Sequence, residues 1–126
     1  MKKLTIKKGD YPLEFITYLV DFTAKYIKDN LDYERLSDID LKLGINSAKF
    51  IIRAADTLRF SFNSNSYIID IDKTEWLDNL NLSTIISRIT YGSREVKGYP
   101  LIDDVFDTVN HRIDDIYEHW MNGDRI

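Results

Sequence analysis

The sequence predicts an α+β fold in which two long amphipathic helices and several short helices pack on a small antiparallel sheet. Apolar residues recur at helical spacing over residues 13–30 and 101–121, the pattern of helices with one buried side. Apolar and polar residues alternate on both sides of a polar turn within 58–72, which predicts a β-hairpin at the centre of the sheet. With 126 residues and no repeat or linker, residues 1–126 are expected to form a single domain.

The chain opens with a predicted strand and the first long helix. Leu4 and Ile6 alternate with polar residues over 3–7, as in a strand with one buried face. Pro12 is compatible with the start of a helix, which is expected to end near Asn30. The apolar side of this helix comprises Phe15, Ile16, Leu19, Val20, Phe22, Tyr26 and Ile27.

Two short helices are predicted before the hairpin. The first is expected over 36–43 and ends at Gly44, a residue that readily takes the left-handed conformation found after helices. Asn46 or Ser47 can cap the second, which runs to about Asp56. In the hairpin, the alternating apolar residues are Leu58, Phe60 and Phe62 before the turn and Tyr67, Ile69 and Ile71 after it.

Short elements and the second long helix complete the chain. Thr74 is predicted to cap a short helix that contains Trp76, and Ser83 to begin another that ends at Gly92. Residues 93–99 are expected to form a loop or a short strand. The helix over 101–121 is predicted to bury Ile102, Val105, Phe106, Val109, Ile113, Ile116 and Trp120.

Charge is distributed unevenly along the chain, whose net charge is −4. Residues 1–60 carry eleven Lys and Arg against nine Asp and Glu, whereas residues 61–126 carry six against twelve. The C-terminal half is therefore expected to repel nucleic-acid phosphates and to suit a basic partner surface. We predict that the solvent-facing side of helix 101–121 binds a protein partner. Its acidic residues are Asp103, Asp104, Asp107, Asp114, Asp115 and Glu118.

Three aromatic residues have no place in the predicted core and are candidate anchors of a protein interface. They are Trp76, Tyr91 and Tyr99. Tyr and Trp are enriched among the residues that dominate binding energy at interfaces. Packing within the domain is the more common role for such residues and stays open as the alternative.

The sequence predicts no enzyme and no cofactor. The absence of cysteine excludes zinc fingers, thiol redox chemistry and a cysteine nucleophile. Glu95 and Lys97, with Asp70 or Asp72, supply the residue types of a magnesium-dependent nuclease. This pattern is short and arises often by chance, and charged residues at a turn and a hairpin edge are the simpler explanation.

A metal site is considered on the C-terminal helix and is not predicted. Acidic and histidine side chains recur there every four residues, a spacing that can bring divalent-metal ligands together. These residues are Asp103, Asp107, His111, Asp115 and His119. His111 is expected to point away from the buried stripe, where no buried neighbours would support an ion.

Residues 36–58 resemble a helix-turn-helix motif, in which the second helix would present Lys49 and Arg53. The hairpin over 58–72 follows where winged-helix proteins carry their wing. The resemblance implies DNA binding through a helix in the major groove. Two positions depart from the family pattern, because Asp40 stands where a small residue is usual and Arg53 where an apolar one is usual.

The function favoured by the sequence is a non-enzymatic protein-binding module of a phage or mobile element, such as an accessory protein, an inhibitor or an immunity protein. A winged helix-turn-helix DNA-binding regulator is the first alternative. A phage structural or tail-assembly component is the second, because residues 4–6 and 11–15 are similar to the N-terminus of some of these proteins. The longest apolar run, Phe15–Val20, is too short to cross a bilayer, and a cytoplasmic location is expected. The partner and the oligomeric state stay open.

Overall fold

A computed structural model describes residues 2–72 and 82–123, and the predicted α+β fold is confirmed within them. The predicted helix that contains Trp76 lies outside the described residues. The elements are β1 (Leu4–Lys7), α1 (Leu13–Asp29), α2 (Tyr33–Leu43), α3 (Ser47–Asp56), β2 (Leu58–Asn63), β3 (Ser66–Ile71), α4 (Leu82–Tyr91), α5 (Leu101–His111) and α6 (Ile113–Met121).

The three strands form one antiparallel sheet in the order β1-β3-β2. The predicted hairpin is confirmed, with Leu58 opposite Ile71 and Asn63 opposite Ser66. β1 pairs with β3 on the other side, with Leu4 opposite Ile69. Because side chains alternate along a strand, one face of the sheet holds the buried residues of all three strands. The opposite face carries exposed polar side chains such as Thr5, Lys7, Arg59 and Ser61.

Helix α1 packs at the centre of the fold, where it contacts β2, α3 and α5. Its fully buried stripe is Phe15, Ile16, Leu19, Thr23 and Ile27. Each large apolar side chain in such a stripe stabilises the fold by roughly 1.5–3 kcal/mol. Three residues that the pattern placed on the same apolar side are only half-buried: Phe22 and Tyr26 lie beside α5 and α6, and Val20 lies beside β2.

The turn between α2 and α3 is held by side-chain caps. Gly44 ends α2 with a φ of 65°, and Asn46 caps α3 by accepting the Lys49 N–H at 3.2 Å. Asp40 accepts the backbone N–H of Ser47 at 2.7 Å and also its hydroxyl. The carboxylate that departs from the helix-turn-helix pattern is therefore satisfied, because it caps the following helix.

The predicted helix over 101–121 is divided at Arg112 into α5 and α6. Arg112 has φ −107° and ψ 15°, outside the helical region. Its N–H donates to Thr108 O at 3.1 Å, and Ile116 N–H donates to Arg112 O at 3.0 Å, so hydrogen bonding continues across the break. Asp114 and Asp115 lie in the first turn of α6, where negative charge stabilises a helix N-terminus.

The loop between α4 and α5 folds back onto the end of α4. Gly92 ends that helix with a φ of 76°, and Ser93 N–H then donates to Val96 O at 2.9 Å. Tyr99 N–H donates to Ile89 O at 2.8 Å. Of the two forms predicted for this segment, it takes the loop, with one isolated β-bridge.

We expect Gly98→Ala to destabilise the protein, because this loop leaves no space for a side chain at that position. A Cβ on Gly98 would overlap the carbonyl oxygen of Thr90 and lie 2.7 Å from the carbonyl carbon of Tyr91. Backbone atoms cannot rotate away, so the free energy of unfolding should fall by about 1–3 kcal/mol. Urea denaturation measures this change, with Lys97→Ala as the control in the same loop. Equal stability of Gly98→Ala and the wild type would contradict this loop geometry.

Candidate functional site

The predicted acidic surface is only partly on the surface, because Asp103 points into the domain. Asp103 is 5% exposed. It accepts the backbone N–H of Lys2 at 3.1 Å and a long hydrogen bond from the Tyr91 hydroxyl at 3.4 Å. A buried carboxylate without hydrogen bonds would cost several kcal/mol, so these two donors explain how α5 tolerates it. The expectation that Asp103 lies on the solvent-facing side of this helix is therefore wrong.

Asp107 pairs with the N-terminal segment of the chain. The ammonium group of Lys2 forms an ion pair with the Asp107 carboxylate. The hydrogen bond to Asp107 raises the pKa of Lys2, and the charges of Asp107, Asp103 and Asp104 act in the same direction. Both side chains are about half exposed, at 55% and 48%, so solvent screens the pair and its contribution to stability is small.

Asp114, at the start of α6, accepts a hydrogen bond from the Tyr11 hydroxyl. The Tyr11 ring packs against Phe15 and Tyr117, with ring centroids 5.2 and 5.0 Å apart. Asp103, Asp107 and Asp114 thus all contact residues of their own chain, and we call them the anchored carboxylates. Asp107 and Asp114 keep accessible side chains, so their role in binding a partner stays a prediction.

The other three acids of the predicted surface point outward. Asp104, Asp115 and Glu118 are exposed, and none of their carboxylates has an ion-pair or hydrogen-bond partner within the described part of the chain. We call them the outward carboxylates. Asp115 and Glu118 are three residues apart on α6, so they lie on neighbouring positions of its surface. Their role in binding a partner stays a prediction.

An aromatic groove adjoins the outward carboxylates. One wall is a row of half-buried rings on α1, Tyr18, Phe22 and Tyr26. The ring centroids are 6.0 Å apart for the first pair and 6.1 Å for the second. The spacing of four residues places all three rings on one side of the helix.

The opposite wall of the aromatic groove comes from α5 and α6, where Val109 and Ile116 form its buried base. The remaining lining residues on this side are Thr108, Arg112, Asp115 and His119. The cavity has a volume of about 240 Å³. That is below the roughly 300–1,000 Å³ of typical small-molecule pockets, so its size fits one or two side chains of a protein better than a free ligand.

The predicted interface aromatics have separate outcomes. Tyr99 is only 6% exposed; its hydroxyl donates to Asn30 O at 3.2 Å and accepts the Asp32 N–H at 2.9 Å. It belongs to the core, so the expectation that Tyr99 has no place there is wrong. Tyr91 is 61% exposed, and its role as an anchor of a protein interface stays a prediction. Trp76 lies outside the described residues.

The residues of the alternative DNA-binding site lie on α3, and their role in DNA binding stays a prediction. Lys49 and Arg53 are both exposed on α3, four residues apart and therefore on one side of the helix. The exposed side of α3 also carries Asp56, which pairs with Lys28 at 2.8 Å, so this helix is only weakly basic.

The groove rings on α1 are the feature that the sequence prediction missed. The pattern places Phe22 and Tyr26 in the core and assigns no role to Tyr18. The signal that could have found the groove is the repeat of aromatic residues at positions 18, 22 and 26, beside rather than within the stripe of Phe15, Leu19 and Ile27. A second apolar stripe on a helix indicates a second packing neighbour.

The following statements on metal and membrane sites apply to residues 2–72 and 82–123. These residues bring together no group of three His, Asp or Glu side chains able to hold a metal ion. The helices of the same residues include none with the length and apolar character that a membrane span requires. No protein-family model, curated protein or solved structure matches this chain.

We expect the stability of the protein to fall as the pH rises from about 10 to about 12, in part because of Tyr11. Burial is the main cause that raises the pKa of Tyr11 to about 12, followed by the hydrogen bond to Asp114. The unfolded chain releases this proton near its ordinary pKa of 10.0, whereas the folded chain retains it. The stabilisation is therefore complete below pH 10 and is lost as the pH passes through the folded pKa.

Urea denaturation at pH 9 and pH 11, on the wild type and Tyr11→Phe, measures this contribution. The variant should lose less stability between the two pH values than the wild type. Identical losses in the two proteins would show that the Tyr11 proton is not held by the fold.

Proposed function

We propose that this chain is a non-enzymatic protein-binding module whose outward carboxylates on α5 and α6 face a basic partner. An accessory protein, an inhibitor or an immunity protein of a phage or mobile element is the class of protein that this description fits. The observation that carries the proposal is the exposure of Asp104, Asp115 and Glu118 without partners in the described residues, next to a groove with an apolar base.

The charge of this region supports a basic partner. Residues 101–123 contain six acidic side chains and one basic one, Arg112. Like charges that remain in solvent repel each other, whereas they attract an oppositely charged surface and speed association. The anchored carboxylates already contact residues of their own chain. The binding surface proposed here therefore comprises the three outward carboxylates and not all six acids.

Reversal of the outward carboxylates should abolish capture of the partner while the protein stays folded. We expect the triple variant Asp104→Lys, Asp115→Lys, Glu118→Lys to retain at most a tenth of the partner that the wild type captures from a lysate of the source cells. Part of the helix-terminal charge stabilisation is also lost, about 0.3–1 kcal/mol for each acid in a first turn, which leaves the fold intact. Quantitative mass spectrometry of the captured proteins measures the outcome.

The matched control reverses three exposed acids elsewhere, Asp10, Asp21 and Glu95, to lysine. It has the same change in net charge, so it separates a local binding surface from a general charge effect. Retention of the partner by the control and its loss in the outward triple support the proposal. Equal capture of the partner by both variants would contradict the proposal that the outward carboxylates bind it.

A winged-helix DNA-binding regulator is the second candidate, favoured by the order of elements. Helices α1, α2 and α3 are followed directly by the β2–β3 hairpin, and α1 and α2 both contact α3. β1 pairs with the second strand of that hairpin. Gly44 provides the tight turn before α3, as in many helix-turn-helix proteins.

This candidate predicts duplex DNA binding that weakens with salt and depends on α3. Lys49→Ala with Arg53→Ala should lower the affinity at least tenfold and reduce the slope of log K against log salt by about one for each phosphate that the variant no longer neutralises. Fluorescence anisotropy with duplex DNA at low salt measures both quantities. Lys3→Ala with Lys97→Ala is the control of equal charge, and the absence of any DNA binding by the wild type would exclude the candidate.

A further inference from the structure

We infer that the aromatic groove is the anchoring socket of the proposed binding surface and takes apolar side chains from a basic amphipathic helix of the partner. This inference rests on the proposed function, because the outward carboxylates supply its charge selectivity. It goes further in naming an apolar anchor, its place between α1 and the α5–α6 pair, and the chemistry of the segment that fits there.

The shape of the groove favours side chains presented by a helix. The row Tyr18, Phe22 and Tyr26 spans eight residues of α1, or about 12 Å at 1.5 Å per residue. Two apolar side chains two turns apart on a partner helix, about 10.8 Å, have a similar separation, as in other helix-in-groove complexes. The volume of about 240 Å³ holds such side chains and excludes a whole helix.

The side chains that line the groove favour contacts with apolar and cationic groups. Its base is aliphatic, from Val109 and Ile116, and its α1 wall presents aromatic rings. Aromatic faces attract Lys and Arg as well as apolar groups. An apolar side chain that fills the groove removes rings and aliphatic groups from water, which is the main source of binding energy at such sites.

The rim of the groove selects the charge of the occupant. Asp115 lines the groove, and Glu118 lies one turn further along α6. Asp104 is four residues before Thr108, a lining residue, and so extends the same side of α5. These three carboxylates outnumber the one permanent cation of the rim, Arg112, so lysine or arginine beside the apolar anchors improves binding.

Full-length protein and three synthetic helical peptides of equal length test the inference by NMR titration. The first peptide carries Leu at positions i, i+3, i+4 and i+7 with Lys elsewhere. The second replaces its Lys with Glu, and the third replaces its Leu with Ser. We expect the Leu–Lys peptide to shift the ring signals of Tyr18, Phe22 and Tyr26, and to bind at least tenfold more tightly than either of the others.

Two variants locate the peptide in the groove. Thr108→Trp fills the groove, and Phe22→Lys places a cation on its aromatic wall. Each should weaken binding of the Leu–Lys peptide at least tenfold, with Thr84→Trp as the control, since Thr84 is exposed on α4 outside the groove. Phe22→Lys keeps the test decisive if Thr108→Trp does not fold.

The outcomes separate this inference from the proposed function. If the groove variants still bind the peptide and the outward triple variant does not, the proposed acidic binding surface is supported and the inference about the aromatic groove is wrong. No binding of the Leu–Lys peptide, or equal binding of the Leu–Glu peptide, would also overturn it. Concentration-dependent shifts of the groove rings without peptide would identify a second copy of the chain as the occupant and overturn it as well.

Discussion

The buried carboxylate of Asp103 is the constraint on which the arrangement of the C-terminal helices depends. A charged group at 5% exposure is compatible with the fold only where hydrogen-bond donors meet it. The donors come from the start of the chain at Lys2 and from the end of α4 at Tyr91. This contact therefore joins the segment before β1 to α4 and α5. Asp104, the next residue on α5, is exposed.

The packing of α1 against α5 and α6 accounts for the groove. With Ile102, Val105 and Phe106 turned towards the core, the side of α5 that contains Thr108 lies beside α1 at the edge of the buried region. Nearer the start of α1, the gap to α6 is closed by rings, since Phe15 lies 4.9 Å from Tyr117 and 5.5 Å from Trp120 by ring centroids. Further along α1 the helices leave a cavity. Asp115 and the apolar base of Val109 and Ile116 are neighbours for this geometric reason.

Much of the fold was predictable from the sequence, because its signals are local. The hairpin follows from strict alternation on either side of a polar turn, and Gly44 and Asn46 mark the α2–α3 turn by their own conformational preferences. The candidate site was predictable only in part. The partners of Asp103 lie 101 and 12 residues away, and helical periodicity carries no information on which polar residue meets a distant donor. Tyr99 was misplaced for the same reason, since its hydroxyl binds the chain at Asn30 and Asp32.

The most direct test of this account compares the stabilities of two neutralised triple variants by urea denaturation. One carries Asp103→Asn, Asp107→Asn and Asp114→Asn; the other carries Asp104→Asn, Asp115→Asn and Glu118→Gln. Each set removes one acid from the first turn of α5 and one from the first turn of α6, so losses from helix-terminal charge are matched. The anchored set should lower the free energy of unfolding by about 2 kcal/mol more than the outward set, because an amide oxygen is a weaker acceptor than a carboxylate for the hydrogen bonds from Lys2, Tyr91 and Tyr11. Equal losses in the two variants would contradict the division of this acidic surface into anchored and outward carboxylates.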